Sequence, residues 1–381
     1  MVLLHLLRWF KAHTGITFEV LLRRGGGLLA DYEALAPVVC YRDLPQARPL
    51  ATRIVNRLGL EFMSYRETAP RLETLLHSPA FDLVYANTIT HGEALEELAS
   101  TGAPVLCHVH ELESVMRKYG DDNIKRVQRH VRRYIAVSEA VRTDLVERCG
   151  IAADRIDVVH EFISASDVAA GTVTPAPVRK ELGIPADAFI VGGCGFTNWR
   201  KGKDLFVQLA RAVAVRAGSR SVHFVWVGTW QSDAHRFEVE YDVAKAGIAG
   251  LVHFVPEISE PLSTFASFDV LAMTSREDPD PVVNLEAGLL ERPVLCFAGS
   301  GGSEEFVGDD AGFVVPYLDV GAMADRVLRL AEDEPLRRRL GVRAAEKVRQ
   351  RHDVAVAGPR IMDIVERVSR SMVGGGQRKE A

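Results

Sequence analysis

Two α/β domains, each built on its own parallel sheet, follow from three features of the sequence. Short apolar runs alternate with helical patterns almost throughout, as βαβ units require. The alternation breaks once, at Ser164 to Pro177, where SASDVAAGTVTPAP is poor in large apolar residues and reads as a linker. The length of 381 residues then suffices for two cores rather than one.

The chain opens on a helical pattern, with Leu3, Leu6, Leu7 and Phe10 at i, i+3, i+4 and i+7 and Thr14-Gly15 as its stop. Strands are expected at ITFEVLL, PVVCY, FDLVYAN, PVLCHVH, RYIAVS and DVVHE, with helices such as Gly92 to Thr101 and Glu139 to Cys149 between them. Ser138 is placed to cap the second of these. After the linker come AFIVGGCGF, a helix from Asp204 to Ala217 capped by Asp204, VHFVWVG, a helix near Asp233 to Lys245, VHFVPE and FDVLAMTS. A short helix, then PVLCF and AGFVVP, precede helices from about Val320 onward. The expected boundaries are a first domain over 1–163, a linker over 164–177 and a second domain over 178–358. A last helix over 359–372 is expected to cross back to the first domain, and 373–381 to be a disordered tail.

Charge and composition narrow the function. A net charge of −5 argues against a general nucleic-acid binder. No apolar run approaches a membrane span. The start, MVLLHLLRWF, lacks the basic and cleavage-site features of a signal peptide. Five scattered cysteines read as buried thiols in a reducing compartment, which makes the cytoplasm the simplest location.

Three segments carry chemistry. In SREDPDPVVNLEAGLLERPVLCF, seven residues separate Asp278 from Glu286, and the pair falls at the carboxyl end of a strand, where open α/β sheets bind ligands. Pro281 suits a first helical position, and the N–H groups of Val282, Val283 and Asn284 are expected to face an anion. Two acids beside an anion site suit a ligand carrying hydroxyls and phosphates, such as a nucleotide sugar. In VGGCGFTNWRKGKDLF, glycines admit a phosphate to the backbone and Arg200 with Lys201 supply charge. In PVLCHVHELES, His108 and His110 share one strand face. A metal site on that pair lacks a third ligand nearby.

The flanks SREDP, LEA and RPVL, with Lys201-Gly202, resemble the retaining glycosyltransferases of family 4, which have the GT-B fold, and the likeness covers nearly the whole chain. It implies two Rossmann-like domains with parallel sheets facing a cleft. It also implies transfer of a sugar from a nucleoside-diphosphate sugar to an acceptor hydroxyl, in glycan or glycoconjugate synthesis. Asp278 then contacts the sugar and Glu286 the ribose, while Arg200, Lys201 and the helix start at Val283–Asn284 hold the diphosphate. His110 approaches the reacting sugar from the other domain. No cofactor or metal is expected. Phe196 departs from the family by standing where many members carry an arginine.

Glu305, after the glycines of GGSEEF, matches the acid that ends the family's glycine-rich turn. The basic run Ile124 to Arg133 is a further expected contact, with an anionic membrane surface or an anionic acceptor. The acceptor class (glycan, lipid or small molecule) stays open. So do two rivals: a sugar-nucleotide epimerase or hydrolase of GT-B fold, and a non-catalytic module. The family's first domain usually begins with a central strand and a glycine-rich loop. Their absence before the opening helix predicts a first domain without its first strand, and a chain truncated at its amino end.

Overall fold

The computed structural model describes residues 1–23, 25–40, 81–170, 173, 178–196, 198–256 and 261–370. The first half holds β1 (Val20–Leu22), β2 (Val38–Cys40), β3 (Val84–Ala86), β4 (Val105–Val109), β5 (Val131–Ala136) and β6 (Ile156–Val158). The second holds β7 (Phe189–Cys194), β8 (Val222–Val227), β9 (Val252–Val255), β10 (Val270–Met273), β11 (Val294–Phe297) and β12 (Gly312–Val315). All pairings are parallel.

The second sheet has the order β12-β11-β10-β7-β8-β9. Its inner strands are buried along their length, as expected where helices cover both faces. Helices Lys203–Arg216 and Val320–Glu332 pack on one face, and Val282–Leu289 with Glu334–Arg351 lie chiefly on the other. Chain order runs outward in both directions from β7 and β10, so the crevice between their carboxyl ends is the switch point of the sheet.

In the first half, β3 to β6 form one sheet in sequence order, while β1 and β2 pair with each other. Among the described residues no strand joins the two. They are bound instead through one apolar cluster that contains Val20, Leu106 and Ile135 and is roofed by helices Val2–His13 and Val354–Arg370.

The opening helix buries Leu4 with Leu6, Leu7 and Phe10, so Leu4 rather than Leu3 completes its apolar face. Its stop is Thr14 alone, in extended backbone, whose hydroxyl and N–H both donate to Phe10 O, at 2.7 and 2.9 Å.

The last helix does pack on the first half. Arg367 pairs with Asp157 at 3.2 Å and Arg360 donates to Val158 O at 3.0 Å. It begins at Val354, however, and carries Pro359 within it, a position where Gly358-Pro359 reads in sequence as a boundary. The linker is also less plain than its composition implies, because Ala165–Ala170 is helical; residues 171–172 and 174–177 lie outside the described ones, as does the tail 373–381. Where the chain leaves the first half and where it returns, Ile163 and Asp353 lie side by side, exchanging bonds of 2.9 Å through His352 and Val354.

Among the described residues, no helix is long and apolar enough to cross a membrane. The basic run spans two elements, the end of helix Glu113–His130 and the start of β5. Arg126 and Arg129 face Glu93 and Glu96, and Arg133 faces Asp157, so much of its charge is neutralised within the chain.

Candidate active site

The loops that follow β7 and β10 meet at the switch point and are stitched together there. Asn198 accepts the N–H of Lys201 at 3.1 Å, which tightens Trp199–Lys201 into a single 3-10 turn. Gly202 follows in the left-handed region, with φ +65, and a Cβ there would collide with the carbonyl oxygen of Thr274. Only glycine permits that approach. Thr274 donates to Gly202 O at 2.9 Å, and Arg276 N–H to Arg200 O at 2.7 Å.

This packing puts cations against acids. Lys201 Nζ lies 2.5 Å from Asp278 Oδ2, and Arg200 Nε lies 3.6 Å from Glu277 Oε1. Sequence reasoning gave Lys201 to the diphosphate and Asp278 to the sugar as separate contacts, whereas the two side chains hold each other. Asp204 differs as well. The helix begins at Lys203 with Gly202 in the cap position, and the Asp204 carboxylate makes a two-pronged pair with Arg276 at 2.9 and 2.7 Å, which draws its carboxyl down against the opposing effect of burial.

Lys203 is not singled out by the sequence. It is buried, with its ammonium 3.3 Å from the centroid of the Trp230 ring and Trp226 and Phe254 beside it. Desolvation pushes it down to about 7. Phe196 and Trp199 stand exposed on the rim of the loop.

The acid loop is pinned by the glycine-rich turn Gly299 to Gly302. Asp278 N–H donates to Ser300 O at 2.7 Å. Gly301, at φ +119, packs so closely on the Asp278 carbonyl that a side chain would collide with it. Pro281 is the cap residue rather than the first helical one, and helix Val282–Leu289 follows. Asn284 N–H is already bonded to Pro281 O at 2.9 Å, so the anion-facing donors expected at this start reduce to Val282 and Val283. The Asn284 side chain donates to Ser303 at 2.9 Å and leaves its buried Oδ1 without a hydrogen bond among the described residues.

The Glu286 carboxylate makes no hydrogen bond among the described residues, and burial lifts it to about 7. Asp280, which the sequence did not single out, is buried. Its carboxyl is pushed well above the usual range by burial first and then by Glu161, Glu305 and Asp278.

Across the cleft, His108 on β4 and His110 just after its end have ring centroids 4.3 Å apart. His108 is fully buried, bonded through Nδ1 to Tyr85 OH at 2.7 Å, and burial holds it far below the ordinary histidine range. His110 has Nδ1 2.5 Å from Glu161 Oε1 and Nε2 3.1 Å from Asn87 Oδ1. Burial opposes its charge, but Glu161 overrides this and raises it. The sequence marks only a strand at DVVHE, so nothing there points to Glu161.

Three acids of the second half also reach across. Glu277 accepts Ser114 N–H at 3.0 Å and Ser114 Oγ at 2.6 Å. Glu305 accepts the N–H groups of Glu139 and Ala140 at 3.0 and 3.1 Å. Asp280 accepts Glu161 N–H at 2.9 Å. Glu277 and Glu305 thus sit at the starts of helices Glu113–His130 and Glu139–Glu147, where the helix dipole favours negative charge. Ser138 accepts Val141 N–H at 3.2 Å as the second helix's own cap.

Two long cations facing acids, the N–H groups of Val282 and Val283, and a carboxylate that has no hydrogen bond among the described residues, all at the switch point, suit a ligand with an anionic centre and hydroxyls on either side. A raised histidine faces them from the other half.

Comparison with known proteins gives concordant results. The sequence model described as Glycosyl transferases group 1 matches residues 176–347, and that described as Glycosyltransferase Family 4 matches residues 1–167. The D-inositol 3-phosphate glycosyltransferase of Saccharomonospora viridis is 27% identical over 344 residues, covering 84% of this chain and 78% of that protein. The lipopolysaccharide core biosynthesis glycosyltransferase LpsD of Rhizobium meliloti is 26% identical over 214 residues, 56% of this chain and 57% of that one; the match spans little over half of either. Among solved structures, Anabaena HepE in complex with UDP and glucose superposes with a TM-score of 0.76, at 19% identity, over 96% of this chain and 95% of that one.

Proposed function

The chain belongs to glycosyltransferase family 4 and has the GT-B fold, and from that premise we propose that it transfers a sugar with retention of configuration from a nucleoside-diphosphate sugar to an acceptor hydroxyl. The observation that carries this reading is the meeting of the β7 and β10 loops, which sets Arg200 and Lys201 against Glu277 and Asp278. A bound diphosphate competes with Asp278 for Lys201, and the carboxylate so released is free to accept hydroxyls of the sugar. Val282 and Val283 N–H then face the phosphate oxygens, and Glu286 takes the ribose hydroxyls as a charged acceptor.

In this scheme protein cations and a helix start stabilise the departing diphosphate, so that no metal is required. The raised His110 adds a further positive charge on the opposite wall. Glu161 favours the protonated ring, and a ring in that form is suited to orienting the sugar or the leaving group rather than to abstracting a proton.

We assign the acceptor side to the first half. A cavity of about 260 Å³ there is lined by Leu21, Arg23, Thr90, Tyr119, Asn123 and Arg126, among others. That mixture of hydroxyl, amide, guanidinium and aromatic surface suits a polyhydroxylated ring. Contact of 124–133 with an anionic surface would rest on Lys125 and Arg132, which remain exposed.

The test is a panel of nucleotide sugars, beginning with UDP-glucose because a HepE structure is described with it. The readouts are thermal shift, nucleotide release and the anomeric configuration of the product. Transfer with retention that persists in chelator is expected. An inverted product, or activity restored only by a divalent metal, overturns the mechanism. Nucleotide release that is indifferent to any acceptor favours the hydrolase or epimerase rival.

A further inference from the structure

The surroundings of His110 are unusual for a cleft histidine. Its Nδ1 is 2.5 Å from a carboxylate oxygen and its Nε2 is 3.1 Å from an amide oxygen. A neutral imidazole has one N–H and one lone pair, so it would leave a lone pair facing an oxygen on one side. The doubly protonated ring satisfies both.

Glu161 is well made for holding it so. Its peptide N–H is fixed by Asp280 at 2.9 Å. Its peptide carbonyl accepts His352 Nδ1–H at 2.9 Å. The residue is thus held by both halves at the point where the chain crosses between them. It is buried, and its second oxygen has no hydrogen bond among the described residues, so His110 is the one described side chain to which its carboxylate is bonded.

We infer that Glu161 is the positioning residue that orients the His110 ring and keeps it cationic toward the leaving diphosphate. The catalytic consequence rests on the sugar-transfer reading above; the pairing does not. The ring is also faced by Glu111, on its own loop, which accepts His110 N–H at 3.0 Å and favours the charge. His108, on β4, is held neutral and Asn87, after β3, is uncharged. The α-amino group of Met1, at the start of the opening helix, opposes the charge. Glu161 outweighs the rest because it supplies both a full negative charge and the hydrogen bond.

The experiment follows the His110 ring nitrogens by 15N NMR across pH 5 to 9, in the parent protein and in Glu161→Gln, and measures transfer in parallel. In the parent the ring should stay doubly protonated to a higher pH than an unperturbed histidine, and in Glu161→Gln it should lose its proton earlier. For each pH unit of that change, the protonated fraction at alkaline pH falls about tenfold. The kcat of Glu161→Gln at pH 8 should therefore fall at least about tenfold, with donor KM nearly unchanged. The deficit should close by pH 5.5, and Glu161→Asp should recover part of it.

A ring that titrates alike in parent and variant overturns the inference, as does a loss of kcat equal at pH 5.5 and pH 8. If Glu161→Gln does not fold, the parent ring alone decides: deprotonation at or below the ordinary histidine value overturns the pairing. If no donor supports transfer while the ring shift is seen, the functional reading fails and the pairing stands.

Discussion

Replacing Glu286 by Gln should stabilise the protein while weakening its hold on nucleotide. The carboxyl stands at about 7 rather than its ordinary 4.5 because burial desolvates it, an effect that the α-amino group of Met1 offsets only in part. At about 1.36 kcal/mol per pH unit, that displacement destabilises the folded state by roughly 3 kcal/mol once the group is ionised in both states.

The sign follows from proton binding. The native state holds the proton up to a higher pH than the unfolded chain, so the cost is absent below about 4.5, grows between there and 7, and is complete above. Glutamine, of nearly the same shape, carries no such cost. Glu286→Gln should therefore melt several degrees higher than the parent at pH 8, at a few degrees per kcal/mol, and equal to it near pH 4.5.

Binding should move the other way. Loss of a charged acceptor for the ribose hydroxyls should weaken a nucleoside diphosphate by roughly 1.5–3 kcal/mol, about ten- to a hundredfold in Kd. Thermal denaturation at the two pH values and titration calorimetry at pH 8 measure both arms. A variant less stable than the parent at pH 8, or one that binds nucleoside diphosphate with the parent's affinity, would refute the reasoning.

Other perturbations separate the remaining roles. Replacing Arg200 and Lys201 together by Ala should lower affinity for a nucleoside diphosphate far more than for the nucleoside; equal losses in calorimetry would remove the phosphate assignment. Asp278→Ala should spare affinity for free nucleotide and abolish transfer, and a parent-like turnover would contradict it. Glu305→Gln removes a charge from the start of helix Glu139–Glu147 and should cost about 0.5–1 kcal/mol, seen as loosened amide protection at Glu139 and Ala140. Unchanged exchange there would show that Ser138 alone suffices as cap.

Much of this arrangement is legible in the sequence where a single segment carries the signal. Continuous apolar runs such as VHFVWV mark buried parallel strands, and β8 occupies that run. The Asp278–Glu286 spacing and its flanks mark the acid loop, and Ser138 caps its helix as its position implies. What escapes is pairing between segments. Glu161 and His110 are 51 positions apart, and nothing local in DVVHEFIS marks the glutamate as the ring's partner. Asp204 has the composition of a cap but is claimed by Arg276, since a bidentate pair with a guanidinium is stronger than a cap bond that Gly202 geometry does not offer. Lys203 follows two genuine loop cations and looks like a third. Only the packing of Trp226, Trp230 and Phe254 shows it turned inward. The last helix runs through Gly358-Pro359 because its apolar face, from Val354 to Val368, is held by the first half, and that burial outweighs the local breaking signal.

Glu277, Asp280 and Glu305 belong to one half of the chain yet complete the backbone of the other. This has a consequence for building hybrid transferases. A chimera that joins this second half to a foreign first half inherits three carboxylates aimed at peptide N–H groups. If the foreign backbone is displaced by even a residue, those carboxylates lose the N–H groups they accept. The natural unit of exchange is therefore not the domain as a fold but the domain together with its complement of acids. A graft that carries Ser114, Glu139–Ala140 and Glu161 along with the acid loop and the Gly301 turn should assemble. A cut made cleanly at Ile163 and Asp353 should not.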